Sequence, residues 1–283
     1  MSEAKPAERS AGPPLADVRH VIAVGAGKGG VGKSTLAALL AVGLQRRGLK
    51  VGLLDADVYG PSIPRITGTE GARPRFDDRG RIVPPNHHGI LIMSMGYLVP
   101  PEEAVIWRGP LAQKYVQELL ERGAWGALDC LVVDLPPGTG DIPLTLAQCI
   151  PLTGAVIVCT PQDVALQDAI KALRMYQKLG VQPLGIVENM SYYLCPQCGH
   201  RAEIFAHGGA RTAARGLGVP FLGEIPLNAT IRSNGDNGAL LANFTQSEPA
   251  VAQALENVVD QLIAQLGTAE RRRRPLPRIE VTD

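Results

Sequence analysis

The chain of 283 residues has no apolar run close to the roughly 20 residues that a membrane-spanning helix needs. Its N-terminal residues are polar and rich in Pro and Ala, without the apolar core of a secretory signal. A formal net charge of +1 gives no general reason to expect a nucleic acid or an anionic membrane as partner. Five cysteines in a chain of this length do not suggest a disulfide scaffold, so we expect a reducing cytoplasm.

Short apolar segments rich in Val, Ile and Leu alternate with helical stretches along most of the chain. Such segments are typical of strands that are covered on both faces, and the alternation predicts an α/β fold with a doubly wound, mostly parallel sheet. Between the segments, Ser62–His88 and Asn228–Gln246 read as irregular regions. The predicted strands are His20–Val24, Lys50–Leu54, Ile90–Ser94, Cys130–Val133, Ala155–Cys159, Leu184–Val187 and Phe221–Glu224, and the predicted helices include Leu111–Glu121, Val164–Leu179 and Glu248–Leu266.

A glycine-rich phosphate-binding motif, G-x-x-x-x-G-K-[ST], follows the first predicted strand and leads into a helical run. In this motif backbone N–H groups surround a phosphate, and the dipole of the following helix adds to the attraction. Lys33 is expected to reach the outer phosphates of ATP, and the Ser34 hydroxyl is expected to bind Mg²⁺. The predicted nucleotide-binding residues of this loop are Gly27, Lys28, Gly29, Gly30, Val31, Gly32, Lys33, Ser34 and Thr35.

Two further acidic motifs follow predicted strands, where ligands of such sheets bind. Asp55 and Asp57, two residues apart, can serve a metal shell and a water nucleophile separately. Asp134 ends an apolar strand, which is the Walker B pattern for a carboxylate that holds Mg²⁺. The Pro-Pro-Gly-Thr-Gly-Asp stretch after Asp134 has the composition of a mobile switch segment.

Cys195 and Cys198 form a C-x-x-C pair in a Pro/Gly-containing turn. Two thiolates supply only half of the ligands that a 4Fe-4S cluster or a tetrahedral zinc ion needs. A symmetric dimer can combine two pairs across its axis, His200 and His207 can complete a zinc site within one chain, or the pair can be a redox dithiol. The other three cysteines lie in apolar segments and are expected in the core: Cys130, Cys149 and Cys159.

The loop with its additional lysine, Lys28, resembles that of the deviant P-loop ATPases, the SIMIBI-type class of MinD, ParA and the nitrogenase iron protein. Over about residues 20 to 265, the set of motifs resembles the Mrp/ApbC family of iron–sulfur cluster carriers more narrowly. The chain differs in lacking the small N-terminal domain of many bacterial members, and in having Asn228-Ala229 where Asp-Pro is common. The segments that carry the resemblance are Asp55–Pro64, Trp107–Pro110, Asp134–Asp141, Glu188–Tyr192 and Gly223–Leu227.

The resemblance implies roles for single residues. Lys28 reaches the nucleotide of a partner subunit, Asp57 orients the attacking water, and Asp55 belongs to the Mg²⁺ shell. Asn189 contacts adenine, and a loop at Pro226-Leu227 covers the base. For the C-x-x-C pair, the resemblance favours a labile cluster shared by the two chains of a homodimer.

The interpretation is therefore a Mg²⁺-dependent ATPase that carries iron–sulfur clusters to apoproteins, with the cluster assembly machinery as a further partner. We divide the chain into a disordered leader (residues 1–18), one P-loop ATPase domain (19–267) and a basic tail (268–283). One alternative is a spatial-organising ATPase of the MinD/ParA type, for which the C-x-x-C pair has no role. Another is a nucleotide-binding protein with a structural zinc site.

Overall fold

The computed structural model describes residues 15–97 and 109–273. The strands are β1 (Val18–Ala26), β2 (Val51–Asp55), β3 (Arg75–Phe76), β4 (Ile82–Val83), β5 (Asn86–His87), β6 (Ile90–Ser94), β7 (Leu128–Asp134), β8 (Gly154–Cys159), β9 (Pro183–Leu194), β10 (Arg201–Ala202) and β11 (Phe221–Leu227). The helices are α1 (Lys33–Arg46), α2 (Ile63–Ile66), α3 (Gly109–Arg122), α4 (Asp141–Cys149), α5 (Asp163–Lys178), α6 (Gly209–Leu217), α7 (Ala229–Asp236), α8 (Ala242–Thr245) and α9 (Pro249–Arg273).

A mostly parallel sheet forms the centre of the described part of the chain, which confirms the predicted α/β class. Its strands follow the order β10-β9-β8-β1-β7-β2-β6-β5, and β11 pairs with β9. The pairs from β6 through β9 to β11 are parallel, whereas β5 and β10 pair antiparallel with β6 and β9. Every residue of β8 and of β2 is buried. Their sequences are therefore continuous apolar runs, apart from Asp55 at the end of β2, and do not alternate between apolar and polar residues.

Two apolar layers cover the faces of the sheet. Along β1, Ile22 and Val24 face one layer, and Val21 and Ala23 face the other, as the two-residue period of a strand requires. The first layer is built from α1, α8 and α9, and the second from α3, α4, α5 and α6. No helix of the described residues has both the length and the apolar character that crossing a membrane requires.

The strand register brings the predicted site residues to one edge of the sheet. Asp134 of β7 pairs with Val24 of β1 and with Asp55 of β2, and Asp55 pairs in turn with Ser94 of β6. Because these strands are parallel, their carboxyl ends lie side by side, and the loops that follow them meet above the same edge. The edge of the sheet at Asp55, Asp134 and Ser94 therefore carries the candidate site.

The structure corrects several predictions about single segments. The region predicted to be irregular at Asn228–Gln246 contains α7 and α8, and Ser62–His88 contains α2 and the β3–β4 hairpin. Cys130 and Cys159 are buried as predicted, but Cys149 at the end of α4 is only half-buried, and its Sγ accepts a hydrogen bond from Gln113 Nε2. Apolar spacing does not reveal short helices or the exposure of a residue at a helix end, because both depend on neighbouring segments.

The proposed division into leader, domain and tail stays a prediction. β1 begins at Val18, and α9 continues to Arg273, so six residues assigned to the basic tail are helical. Residues 1–14 of the predicted leader, residues 274–283 of the tail, and Trp107 and Arg108 of one family segment lie outside the described residues.

Candidate nucleotide site and cysteine hairpin

The glycine-rich loop between β1 and α1 is held so tightly that side chains do not fit at two of its glycines. A Cβ atom on Gly27 would lie 2.1 Å from the backbone carbon of Asp168, and one on Gly32 would lie 2.3 Å from Asn189 Nδ2. Gly32 also has a φ of +83°, which L side chains rarely adopt. No side chain caps the N-terminus of α1, so no capping side chain competes with a phosphate for its first N–H groups.

Lys33, the first residue of α1, brings the predicted catalytic and metal-binding residues together. Its Nζ lies 2.5 Å from Asp134 Oδ1, 3.2 Å from Ser34 Oγ and 3.4 Å from Asp57 Oδ2. Ser34 is the next residue of α1, Asp57 follows β2, and Asp134 ends β7, 101 residues from Lys33 in the chain. The motifs that the sequence places apart thus form one cluster of a cation, two carboxylates and a hydroxyl.

Asp55 and Asp134 are fully buried neighbours at this edge, and burial raises the pKa of both carboxyl groups. For Asp55 the charge of Asp134 adds to burial and raises the pKa to about 8, whereas Lys33 opposes the shift at Asp134. Asp134 Oδ2 has no hydrogen-bond partner within the described part of the chain. A divalent cation would give this unpaired oxygen a partner and would balance the excess of negative charge. Ser34, Asp55 and Asp134 therefore fit a Mg²⁺ site.

Asp55 has a second task that the motif did not reveal. Its carboxylate accepts hydrogen bonds from the N–H groups of Asp57 and Ile63, each at 3.1 Å. Ser94, fully buried on the neighbouring strand, donates its hydroxyl to Asp55 Oδ2 at 2.9 Å and accepts the N–H of Gly96. Ser94 was missed from the sequence, and its only signal was that it ends a strand, as Asp55 and Asp134 do. Asp55 therefore shapes the loop that carries Asp57.

Asn189 lies against the phosphate loop, but it is not at the end of a strand as predicted, because β9 continues past it to Leu194. Its Nδ2 donates a hydrogen bond to the carbonyl of Val31 at 2.9 Å. The predicted contact with adenine stays a prediction. The side chain of Lys28 is partly exposed, and its predicted contact with a partner subunit's nucleotide stays a prediction.

The expectation of a base-covering loop at Pro226-Leu227 needs correction, because both residues belong to β11. The loop starts one residue later, at Asn228, whose Oδ1 accepts the N–H groups of Thr230 and Ile231 at 2.7 and 3.2 Å. Asn228 is thus the N-cap of α7, a role for which Asn and Asp are equally suited. The departure from the common Asp-Pro pair therefore preserves the cap, and a contact of Pro226 with the base stays a prediction.

The cysteine pair lies on a hairpin made by the end of β9 and the two residues of β10. We call residues 193–202 the cysteine hairpin. The N–H of Cys195 donates to the carbonyl of His200 at 3.0 Å, and the N–H of Gly199 donates to the carbonyl of Cys195 at 2.8 Å. Both thiols are free, and Cys198 is exposed. Hydrogen bonds from the N–H groups of Gln197 and Cys198 hold the pKa of Cys195 below its ordinary value, which favours the thiolate that binds metal.

The histidines proposed for a zinc site are arranged differently from what that alternative requires. His207 Nε2 lies 2.5 Å from Glu224 Oε2, and the same carboxylate is 2.7 Å from Arg211. His200 is exposed at the hairpin turn. In residues 15–97 and 109–273 no group of three or more His, Cys, Asp and Glu side chains has the geometry of a metal site. The zinc alternative is therefore not favoured.

A glycine loop between a parallel strand and a helix, with a lysine amid strand-end carboxylates, defines a P-loop nucleotide-binding protein. A family model narrows the assignment within this class of proteins. The chain belongs to the ParA family of NUBPL iron-transfer P-loop NTPases, whose model matches residues 17–263.

Two curated relatives and two solved structures illustrate the likeness. The iron-sulfur cluster carrier protein of Haemophilus influenzae is 46% identical, over 90% of this chain and 66% of its own length. The iron-sulfur cluster transfer protein NUBPL of Dictyostelium discoideum is 45% identical, over 88% and 77%. The chain thus spans about two thirds to three quarters of these relatives.

Among solved structures, a nucleotide-binding protein of Archaeoglobus fulgidus in complex with ADP is 42% identical, with a TM-score of 0.74, over 83% of this chain and 91% of that one. The cell division ATPase MinD of Pyrococcus furiosus is 20% identical with a TM-score of 0.63, over 87% and 99%. Both share the fold of this chain, and the second, at 20% identity, shows the fold alone.

Proposed function

We propose that the chain is an ATP-hydrolysing iron–sulfur cluster carrier that binds a labile cluster between two copies of itself and delivers it to apoproteins. The observation that carries the proposal is the pair of free thiols on an exposed hairpin at the end of β9, the strand whose Asn189 contacts the phosphate loop. Family membership and the names of the curated relatives support it. The free thiols also fit a reducing compartment such as the cytoplasm.

The cluster of groups around Lys33 supports the hydrolysis step of this proposal. The phosphates of ATP sit on the N–H groups of the loop, with Lys33 beside the outer phosphates. Asp57 orients water for in-line attack on the γ-phosphorus, so the bond to the β-phosphate oxygen breaks and ADP and phosphate leave. Mg²⁺ at Ser34, Asp55 and Asp134 supplies neutralising charge when it is bound. In this proposal Lys28 contacts the nucleotide of the partner subunit, and Asn189 contacts the adenine base of its own subunit's nucleotide.

The iron–sulfur cluster is cargo rather than a resident cofactor. Cys195 and Cys198 supply two thiolates, and a 4Fe-4S cluster needs about four, so two chains must contribute. A symmetric homodimer provides the second pair of cysteines at its axis. Ligands on an exposed turn leave the cluster open to exchange with the thiolates of an apoprotein, as a carrier requires. The donor of the cluster is assigned only as a component of the assembly machinery.

Anaerobic reconstitution with iron and sulfide tests the carrier. We expect about one 4Fe-4S cluster per dimer by absorption and metal analysis, and none with Cys195→Ala or Cys198→Ala. Cys149→Ala, which removes a half-buried thiol of α4, is the matched control and should bind as the wild type does. A tight zinc ion in each chain that is released by His200→Ala would contradict the carrier and support a structural zinc site.

Mixed dimers test whether Lys28 acts across the subunit interface. Lys28→Ala and Asp57→Ala chains should each be inactive as homodimers. If Lys28 serves the partner's nucleotide, a mixed dimer places both lesions at one site and leaves the other intact, so turnover returns to about half. If mixed dimers are as inactive as either parent, Lys28 serves its own subunit and the cross-subunit role is wrong.

A further inference from the structure

The cysteine hairpin is short of its own stabilising contacts. β10 contributes only two residues, Arg201 and Ala202, which pair with Leu194 and Tyr193 of β9. Such a short two-stranded unit is marginal by itself in water. Tyr193, the first residue of the hairpin, also pairs with Leu227 of β11, so the base of the hairpin is held by the sheet. Beyond that residue, side chains that reach back to the sheet are what can set the position of the turn between Cys195 and Cys198.

Arg201 is the side chain of the hairpin that reaches back to the sheet. Its guanidinium lies over the ring of Tyr192, 3.8 Å from the ring centre. It also lies 3.6 Å from Glu224 Oε2 and 2.7 Å from His207 Nε2. Since Nε2 cannot both accept from Arg201 and donate to Glu224, we assign its hydrogen to the 2.5 Å contact with Glu224. Arg201 is then an ion-pair partner of that same carboxylate.

Glu224 is the centre at which these contacts meet. It lies on β11, and its carboxylate receives His207, Arg211 and Arg201, with the Ser191 hydroxyl at 3.4 Å. Burial alone would raise the pKa of Glu224, but the hydrogen bonds from His207 and Arg211 outweigh it and hold the pKa below the ordinary value. The side chain is thus an anion that faces three basic groups from three different segments.

The loop that carries His207 is itself anchored. Glu188 of β9 is fully buried and accepts the N–H groups of Gly208 and Ala210 at 3.0 and 2.8 Å. It also accepts the Ser191 hydroxyl at 2.6 Å. Glu188 therefore holds the start of α6 against β9, one residue before Asn189 of the nucleotide site. The loop of His207 is therefore fixed to β9 by Glu188, and His207 in turn fixes the carboxylate of Glu224 that faces Arg201 of the hairpin.

We propose that Glu224 is the positioning residue of the cysteine hairpin: through its ion pair with Arg201, and with its carboxylate fixed by His207 and Arg211, it holds the Cys195–Cys198 turn in one orientation on the sheet. The part of this inference that concerns the cluster rests on the proposed carrier function. The part that concerns the hairpin depends only on the contacts around Glu224. The two parts can be tested separately.

The first experiment uses the protein without cluster. Glu224→Gln keeps the shape of the side chain and removes its charge. We expect hydrogen–deuterium exchange at the Cys195 and Gly199 amides to become about tenfold faster or more, because their bonds depend on a held hairpin. Glu118→Gln is the matched control, since Glu118 pairs with Arg122 on α3, and it should exchange at these amides as the wild type does.

The second experiment loads the same variants with iron and sulfide. In Glu224→Gln, we expect an altered visible circular dichroism spectrum and several-fold faster loss of iron to a chelator, with ATP affinity within twofold of wild type. Arg201→Gln tests the same contact from the exposed side and covers the case in which the first variant does not fold.

Unchanged hairpin exchange in both Glu224→Gln and Arg201→Gln overturns the positioning role. Faster exchange together with a wild type that takes up no cluster leaves the positioning role standing and overturns the carrier function. Faster exchange with an unaltered cluster spectrum and unaltered iron loss overturns the link between hairpin position and cluster binding.

Discussion

The nucleotide end of the sheet and the cysteine hairpin are built in opposite ways. Around Lys33, the two strand-end carboxylates Asp55 and Asp134 are fully buried, and their positions follow from parallel strands in register. The cysteine hairpin instead extends beyond the parallel core, with one thiol exposed and a two-residue strand as its return. Charges in the buried cluster interact strongly because water is excluded, whereas the hairpin groups are screened. The buried cluster around Lys33 is therefore suited to stabilising charge, and the exposed cysteine hairpin is suited to exchanging a bound cluster.

β9 is the element that the two regions share. Asn189 contacts the phosphate loop, Glu188 holds the start of α6, and the same strand continues into the cysteine hairpin. A change at the nucleotide therefore has a covalent route of six residues from Asn189 to Cys195. The following predictions test how independent the two regions are, from the largest expected effect to the smallest.

The difference in thiol exposure gives the largest expected contrast. Burial raises the pKa of Cys130 and Cys159 to about 12, and backbone N–H groups lower that of Cys195. At pH 8 we expect iodoacetamide to alkylate Cys195 at least about 1000-fold faster than either buried thiol, because only the thiolate reacts. Mass spectrometry of peptides over time measures the rates. Similar rates in the folded protein would contradict the contrast, and in denaturant all thiols should react alike.

Asp57→Asn should separate hydrolysis from binding. The amide keeps the size of the side chain but removes the charge that orients water, so turnover should fall about 100-fold or more. ATP affinity and cluster content should stay near wild type. A phosphate-release assay measures turnover, with Asp236→Asn, from an exposed ion pair with Arg232, as control. Equal turnover in Asp57→Asn and wild type would remove Asp57 from the mechanism.

Lys33→Ala should weaken nucleotide binding while leaving the hairpin unaffected. Loss of a charged contact to phosphate costs about 1.5–3 kcal/mol, so ATP affinity should fall roughly 10- to 100-fold. Titration calorimetry measures the affinity, and Lys171→Ala, from an exposed pair with Asp168, is the control. Cluster content should match the wild type. A variant that loses its cluster together with its nucleotide would show that the two regions are coupled in the resting protein.

Gly32→Ala tests the contact between the loop and β9. The change adds strain at a φ of +83° and pushes the new Cβ against Asn189, so we expect a loss of roughly 2 kcal/mol in the free energy of unfolding. Gly48→Ala adds similar strain at +81° with nothing within 4 Å and should cost about 1 kcal/mol. Urea denaturation measures both. Equal losses of unfolding free energy in the two variants would mean that the contact with Asn189 does not contribute to the cost at Gly32.

The parts of the candidate nucleotide site could be proposed from the sequence because each has a local signature. The loop needs glycines where the backbone turns, and an apolar strand that ends in Asp marks Asp134 without knowledge of the fold. Ser94, Glu188 and Glu224 carry no such signature, since a single polar residue in a strand has many uses. Their roles depend on which strand lies beside them, and that is a property of the sheet order. His207 was a zinc ligand in one of the alternatives for the C-x-x-C pair, and its contact with Glu224 could not be read along the chain.

The amino-acid sequence by itself determined the α/β class, the phosphate loop, the carboxylates at the strand ends and the pair of closely spaced cysteines. These features follow from local rules of periodicity, backbone freedom and ligand chemistry, which act over a few residues. Only the tertiary structure decided that Lys33 lies between Asp57 and Asp134, that Asp55 shapes its own loop through Ser94, and that Glu224 gathers three basic groups beside the cysteine hairpin. Those contacts join residues far apart in the chain, because parallel strands place distant segments side by side.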